Sequence, residues 1–566
     1  MKQTIIILAF VEMAFASMGQ SIIHNNGAQI TSGTVGTESY WVVSGGAITL
    51  KSESAVNLAT FENLKIESGA SLALTSATCL TVNGALTNGA GIDGLTVPSD
   101  ATYTGSLMVK GSTAASGTVE RYMTDSKWHV VSAPASENIN TFLNRNKVIP
   151  IIDIGTDAGR LGMMDYNTSG NAWNRFFPGG TDNTGDNFLS GKGYMVRTYP
   201  DAVIKSLNFK GALKAGATNV TVTSGWNCIG NPYTTAIQVS NGSNAFLTVN
   251  NTTTLEKTDP VIENSHYGVY YWNADAVPPR YDVINEVSAA SWAQSGQGFF
   301  VKAKTGLVTS GVGQNDFVSF TPEMQIHNTT LEFKAASLPY PSIKLMATND
   351  GAKFSTDIKF IDGTTNGLDI GYDAGVLKAG ATFSIFTKLV DDNGVEFQLQ
   401  CLPNTGFSKI IIPVGVDSKV GGEIVFSAET VQLVQGTKVI LEDRLTNTFT
   451  DLSTNSYKAA VAANTAGTGR FYLHTGDIVS GLDDQELADG KLTAYARGNK
   501  EIRVLGEVGN DVVATLYNGL GQVVLTKKLG AGTLNIIGLP NLSSGLYLLS
   551  IDNNGTPQTI KVMVRK

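Results

Sequence analysis

Apolar and polar positions alternate in short bursts along this chain. Between residues 22 and 118 the run NLKIESGASLALTSATCLTVNGALTNGAGIDGLTV sets the texture. Leu64 and Ile66, Leu72 and Leu74, Leu80 and Val82 keep a period of two, and Leu86, Ile92 and Leu95 mark the bursts that follow. Gly, Asn or Ser punctuates each burst. A period of two puts successive side chains on opposite faces, so the bursts predict short strands. Close repetition predicts a β-solenoid-like segment over 20–118, each rung stacking on its neighbour. An antiparallel sandwich is the alternative reading.

Self-comparison reveals a duplication downstream. Trp128-His-Val-Val-Ser-Ala-Pro134 matches Trp226-Asn-Cys-Ile-Gly-Asn-Pro232. Gly162-Met-Met-Asp-Tyr-Asn167 matches Gly268-Val-Tyr-Tyr-Trp-Asn273. Ser190-Gly-Lys-Gly-Tyr-Met-Val196 matches Ser295-Gly-Gln-Gly-Phe-Phe-Val301. The offsets are 98, 106 and 105 residues, in order. Two β-sandwich-like units are expected, at 119–220 and 221–324. Their long variable loops, 135–160 and 233–265, are the places to expect binding of a glycan or other surface ligand. Residues 325–476 read as one antiparallel sandwich of eight to ten strands, with strand-like runs such as Ser342–Ala347, Phe397–Cys401 and Ile424–Ser427. Residues 477–490 read as an acidic linker. Seven strand-like runs then follow in 491–566, predicting a compact Ig-like sandwich. The fold class expected is all-β: a solenoid-like start, several sandwiches, and a seven-stranded end.

Composition supports this. Gly supplies 61 of the 566 residues, and each Gly costs a helix about 1 kcal/mol relative to Ala. The net charge is −8, with 16 % charged residues, which lacks the basic footprint of a nucleic-acid binder. Residues 1–19 read as a secretory signal peptide: Lys2, the apolar run Thr4–Phe10, then Ala14, Ala16 and Gly19 near two cleavage choices. No later stretch has the ~20 apolar residues of a transmembrane helix. Cys79, Cys228 and Cys401 are few, odd in number and far apart, so they read as buried apolar side chains rather than disulfides or zinc ligands.

The last segment carries a resemblance. Leu516-Tyr-Asn-Gly-Leu-Gly521-Gln522-Val, Leu542-Ser-Ser-Gly545-Leu-Tyr547-Leu and Thr559-Ile-Lys561-Val-Met-Val-Arg565-Lys566 resemble the type A C-terminal sorting domain of the type IX secretion system. The resemblance covers the whole segment. It implies export through the inner membrane by the signal peptide and crossing of the outer membrane with the secretion machinery. It also implies a sortase that removes the module, and lipopolysaccharide as an attachment point. Gly521, Gln522, Gly545, Tyr547, Lys561, Arg565 and Lys566 are then the sorting signal, with the basic final strand as docking surface. Segments such as Trp226–Tyr233, Asp369–Asp373, Val439–Tyr457 and Arg470–His474 are similar to stretches recurring in surface cargo of this system.

Catalytic chemistry is sparse. The five histidines, His24, His129, His266, His327 and His474, are isolated. There is no HExxH, no G-x-S-x-G elbow and no P-loop. Asp182 and Asp186 place oxygen donors in a glycine turn, which makes them the candidate Ca²⁺ ligands; Asp369 and Asp373 are a similar pair. No other cofactor is expected. Trp128, Trp226 and Trp272 fall on matched positions and read as core, while Trp173 and Trp292 are better placed for exposure. The expectation is a non-enzymatic, exported cell-surface β protein, an adhesin or envelope component. The alternative is a secreted carbohydrate-binding or carbohydrate-degrading protein.

Overall fold

The computed structural model describes residues 5–6, 23–25, 28–35, 38–51, 58–124, 127–146, 151–152, 160–175, 186–197, 206–251, 260–311, 314–330, 340–378, 381–405, 410–433, 437–476, 492–497, 499–510, 512–540, 542–553 and 556–564. Strands take up 53 % of the chain and helices 5 %, so the protein is mostly β. It divides into two compact units, Met1–Gln435 with Leu441–Leu473, and Gly436–Ile440 with His474–Lys566. The bulk of the signal-peptide segment and the acidic linker lie outside the described residues.

The first unit opens with three parallel ladders. One runs through Glu38–Ser44, Leu64–Ile66 and Leu86–Asn88. A second runs through Ala47–Lys51, Ser71–Leu74, Leu95–Val97 and Ser116–Tyr122. The third runs through Leu58–Phe61, Cys79–Val82 and Ser106–Val109. Each turn of chain gives one strand to each ladder, so like residues stack. Ile48, Leu72 and Leu95 lie in one register, and Phe61, Val82 and Val109 in another. All six are buried. This stacking is why the alternating bursts recur: one face of every strand must be apolar to fill the interior.

The duplicated motifs occupy equivalent places. In the first half a four-stranded sheet runs in the order Trp128–Ser132, Gly193–Arg197, Met163–Asn167, Ala172–Arg175. In the second half the order is Gly225–Gly230, Gly298–Ala303, Val269–Asn273, Arg280–Ile284. Contacts between the halves come in exchanged pairs. Val131 bridges to Gln297, and Lys192 to Ile229. Ser132 N–H donates to Gly296 O at 3.0 Å, and Gly230 N–H to Gly191 O at 2.9 Å. By the sequence offsets, each bond is the other with its partners swapped, as in an isologous dimer. The two sheets share a core of Val130, Met195, Cys228, Tyr270, Tyr281 and Phe300, with Trp128, Trp173, Trp226 and Trp272 packed against it. A methyl group on Gly193 would lie 2.5 Å from Cys228 Sγ, and one on Gly298 2.6 Å from Val130 Cγ1. The repeated S-G-x-G turn is thus a contact between halves as well as a turn.

The segments expected as long loops hold short helices: α1, Ile139–Arg145, and α2, Phe246–Asn251. At the C-terminal end of each, an asparagine ties the helix to a distant strand. Asn146 Nδ2 donates to Phe142 O and Asn208 O, and its Oδ1 accepts from Asn208 N–H. Asn250 repeats this with Phe246 O, Ser319 O and Ser319 N–H.

Residues 342–475 form one network of eleven strands. The expectation of a purely antiparallel sandwich is corrected here: Ala352–Ile361 pairs in parallel with Phe397–Pro403. The second unit contains seven strands after residue 491, in a three-stranded sheet (Thr493–Arg497, Glu501–Val508, Gly532–Gly538) and a four-stranded sheet (Val523–Lys528, Val513–Tyr517, Gly545–Asn553, Thr556–Val564). A core of Ile502, Val504, Leu516, Ile537, Leu549, Ile551 and Val564, among others, fills the space between them.

Candidate functional site

In the terminal module, Asn518 builds the turn between Val513–Tyr517 and Val523–Lys528. Its Oδ1 accepts from Leu520 N–H and Gln522 N–H, both at 3.0 Å. Its Nδ2 donates to Gln522 Oε1. Gly521 sits at φ +79°, in the left-handed region that glycine enters without strain. Gly521 and Gln522 are exposed, and Leu520 at the tip is 86 % exposed. Tyr547 is buried, and its hydroxyl donates to Ser543 O at 3.0 Å. A methyl group on Gly545 would meet the Tyr547 ring at 3.9 Å, an ordinary contact, so packing does not require glycine there. Lys561 is exposed on Thr556–Val564, an edge strand of the four-stranded sheet. Arg565 and Lys566 lie outside the described residues. Sequence reasoning missed the outer face of the three-stranded sheet. Tyr495, Arg503 and Ile536 share a cross-strand row there, with Leu534 beside it. Tyr495, Leu534 and Ile536 are each about half exposed, and grouped exposed apolar side chains mark interaction surfaces.

A cleft of about 90 Å³ opens where the duplicated halves meet, lined by Arg121, His129, Tyr271, Trp272, Asn273 and Gln297 among others. Arg121 is 9 % exposed. Burial, and after it the charge of Arg121, push His129 down to about 4, so its ring is neutral at pH 7. Thr124 Oγ1 and His129 Nε2 share a hydrogen bond of 2.8 Å. Lys127 and Asp275 form an ion pair.

Asp369, Asp373, His266 and His327 are engaged in hydrogen bonds within the fold. Asp186 is exposed, and its backbone carbonyl accepts from Ile139 N–H at 2.9 Å. Asp182 lies outside the described residues. Asp369 accepts from Thr365 N–H, and Asp373 from Asp369 N–H and Cys401 N–H. Burial pushes Asp373 up to about 7, against the pull of those two N–H groups. His266 bonds the Ser265 hydroxyl, and His327 the hydroxyls of Thr81 and Ser106. Burial holds them at about 3 and about 4. Among the described residues, no three His, Cys, Asp or Glu side chains group to hold a metal. The three cysteines are free and buried. Trp173, expected as a candidate for exposure, packs edge-on against Phe300 and Tyr166.

The segments Val439–Tyr457 and Arg470–His474, distant in sequence, meet at Asp443. Arg470 Nε lies 3.0 Å from Asp443 Oδ1 and Arg470 Nη2 lies 2.7 Å from Oδ2, while the Tyr457 hydroxyl donates to Oδ2 at 2.8 Å. The Asp443 side chain is fully buried.

Known proteins agree with this division. Residues 37–474 match the family described as Domain of unknown function (DUF8693), and the chain belongs to that family. Residues 497–565 match the secretion system C-terminal sorting domain, and the chain is a cargo protein of the type IX secretion system. No curated protein matches it. Among solved structures it is similar to a biofilm associated protein (BSP domain), at 9 % identity and TM-score 0.17, covering 79 % of this chain and 92 % of that one. It is also similar to a polysaccharide lyase, at 9 % identity and TM-score 0.14, over 40 % of this chain and 39 % of the lyase. The sorting domain marks the protein for the extracellular or cell-surface space. Among the described residues, no helix is long and apolar enough to cross a membrane.

Proposed function

We propose that the exported protein is a non-enzymatic surface component, an adhesin or envelope element. Its body is read as a β-solenoid followed by sandwiches, and its sorting module as the docking part that a sortase removes. The observation that carries this reading is a sorting domain joined to a β body in which the Asp373 and Asp443 carboxylates are engaged in folding contacts. The stacked parallel registers support the solenoid part. Exposed Lys561 and the apolar row of Tyr495 and Ile536 support contact with the secretion machinery. Attachment to lipopolysaccharide and Ca²⁺ at Asp182 and Asp186 belong to the same reading. A second reading, carbohydrate binding, is favoured by Tyr271 and Trp272 walling a polar cleft.

Deleting residues 491–566 is expected to leave the chain in the periplasm, measured by fractionation and immunoblot. Secretion of the truncated form would falsify the sorting role. A glycan array with an activity screen on residues 20–490 separates the two readings. Binding to cells or surfaces without glycan selectivity or turnover supports the first, and turnover of a polysaccharide overturns it.

A further inference from the structure

The duplication sets a small side chain in one half where the other half has a ring. After the matched prolines Pro134 and Pro232 come Ala135 and Tyr233. Two residues before the matched serines Ser190 and Ser295 stand Phe188 and Ala293. In the second half Tyr233 is fully buried, and its hydroxyl donates to Phe320 O at 2.9 Å. In the first half Ala135 supplies only a methyl group. Phe188 turns into the core, edge-on to Phe142 and Tyr194 at centroid distances of 5.1 and 5.0 Å. A cavity of about 210 Å³ opens at Ala135, lined by Pro134, Pro232, Ala135, Phe188, Leu213 and Lys214 among others.

The walls decide what fits. Proline has no N–H to leave unpaired, so Pro134 and Pro232 present apolar faces, one from each half. Ala135, Phe188 and Leu213 are buried and apolar. An apolar cavity of about 150 Å³ takes up benzene, so this one has room for a single ring with a short substituent. Lys214 is half-buried and is the one charged side chain of the lining, which holds no Asp or Glu among the described residues. The nearest acidic side chains along the same segments are engaged elsewhere, Glu137 with Arg145 and Asp165 with Lys192. An ammonium at an apolar cavity calls for an anion on an apolar body, and charge-assisted contacts to carboxylates are the stronger kind. We infer that this cavity binds a small aromatic carboxylate, its ring between the prolines and Phe188 and its carboxylate on Lys214 Nζ. The inference goes beyond the surface and carbohydrate readings and rests on neither.

The test uses the purified full chain and ligand-detected NMR with phenylacetate, benzyl alcohol and acetate at millimolar concentration. Phenylacetate is expected to bind, with benzyl alcohol and acetate each weaker by about tenfold, the scale of one lost contact. Lys214→Gln is expected to bring phenylacetate down to the level of benzyl alcohol, leaving benzyl alcohol and the melting temperature unchanged. Ala135→Tyr with Phe188→Ala gives the first half the residues of the second. This double variant is expected to lose both ring-bearing probes while still unfolding cooperatively. If it does not fold, Ala135→Leu, which adds apolar bulk to the same wall, carries the same expectation. No phenylacetate binding by the folded parent overturns the proposal, as does binding that the folded cavity-filling variant retains. Phenylacetate binding that Lys214→Gln leaves intact overturns the carboxylate assignment. Acetate binding as tightly as phenylacetate overturns the aromatic one.

Discussion

Asp443 ties three segments together with one carboxylate, and each oxygen has a partner. Burial alone would raise its pKa. The hydrogen bonds from Arg470, Tyr457 and Leu445 N–H and the Arg470 charge outweigh burial and hold it at about 2. An unfolded aspartate titrates near ~3.9. The stabilisation is therefore complete above pH ~4 and is lost as pH falls through about 2. Asp443→Asn removes the charge and leaves the Arg470 guanidinium, 23 % exposed, without its counterion. Loss of one member of a buried pair costs about 3–5 kcal/mol. Urea denaturation at pH 7 should show a loss of that size, and the variant's stability should fall less steeply between pH 4 and pH 2 than the parent's. An equally steep fall would place the acid sensitivity elsewhere.

At the scale of elements, the repeated helix ends show what sequence reading caught and what it passed over. Matching of W-x-x-[VI]-x-x-P and S-G-x-G found the strands of both halves, because close packing across the internal two-fold restricts those positions. The pair Phe142-Leu-Asn-Arg-Asn146 and Phe246-Leu-Thr-Val-Asn250 carries the same F-L-x-x-N signal at an offset of 104. It went unread because six or seven residues give too short a stretch for a helical period to stand out from a loop. Asn146→Ala and Asn250→Ala each strip a strand N–H of its acceptor and two carbonyls of a donor. Each is expected to cost about 1–3 kcal/mol. The two sites share no hydrogen-bond partner, so the double variant should lose the sum. Thermal or urea unfolding checks both claims. A double variant no worse than either single one would mean that the helices are not independent anchors. The parallel pairing of Ala352–Ile361 with Phe397–Pro403 was illegible for another reason. Alternation reports which face a residue takes, and says nothing of which distant strand lies alongside. The cleft escaped for the same cause: Arg121, His129, Trp272 and Gln297 come from four separated stretches.

For the whole molecule, the sorting module must be recognisable whatever body it is attached to. Its core meets that requirement: the buried residues from Leu492 to Val564 that fill it all belong to residues 491–566. Two sheets close on one apolar layer there. A chain of that size can bury about 60 % of its surface, near the lower limit for autonomous folding. The prediction is that residues 491–566, produced alone, unfold cooperatively with an enthalpy of about 50 kcal/mol near 60 °C, from ~0.7 kcal/mol per residue. The full chain should show a separate calorimetric transition at the same temperature, beside a larger one from the body. Removing the module should delete the small transition and leave the large one in place. If the fragment fails to fold, or the full chain melts in one step that shifts on truncation, the module draws its stability from the body. The secretion machinery would then be reading a feature of the whole cargo, and deletion of residues 491–566 would block export by unfolding the protein rather than by removing its address.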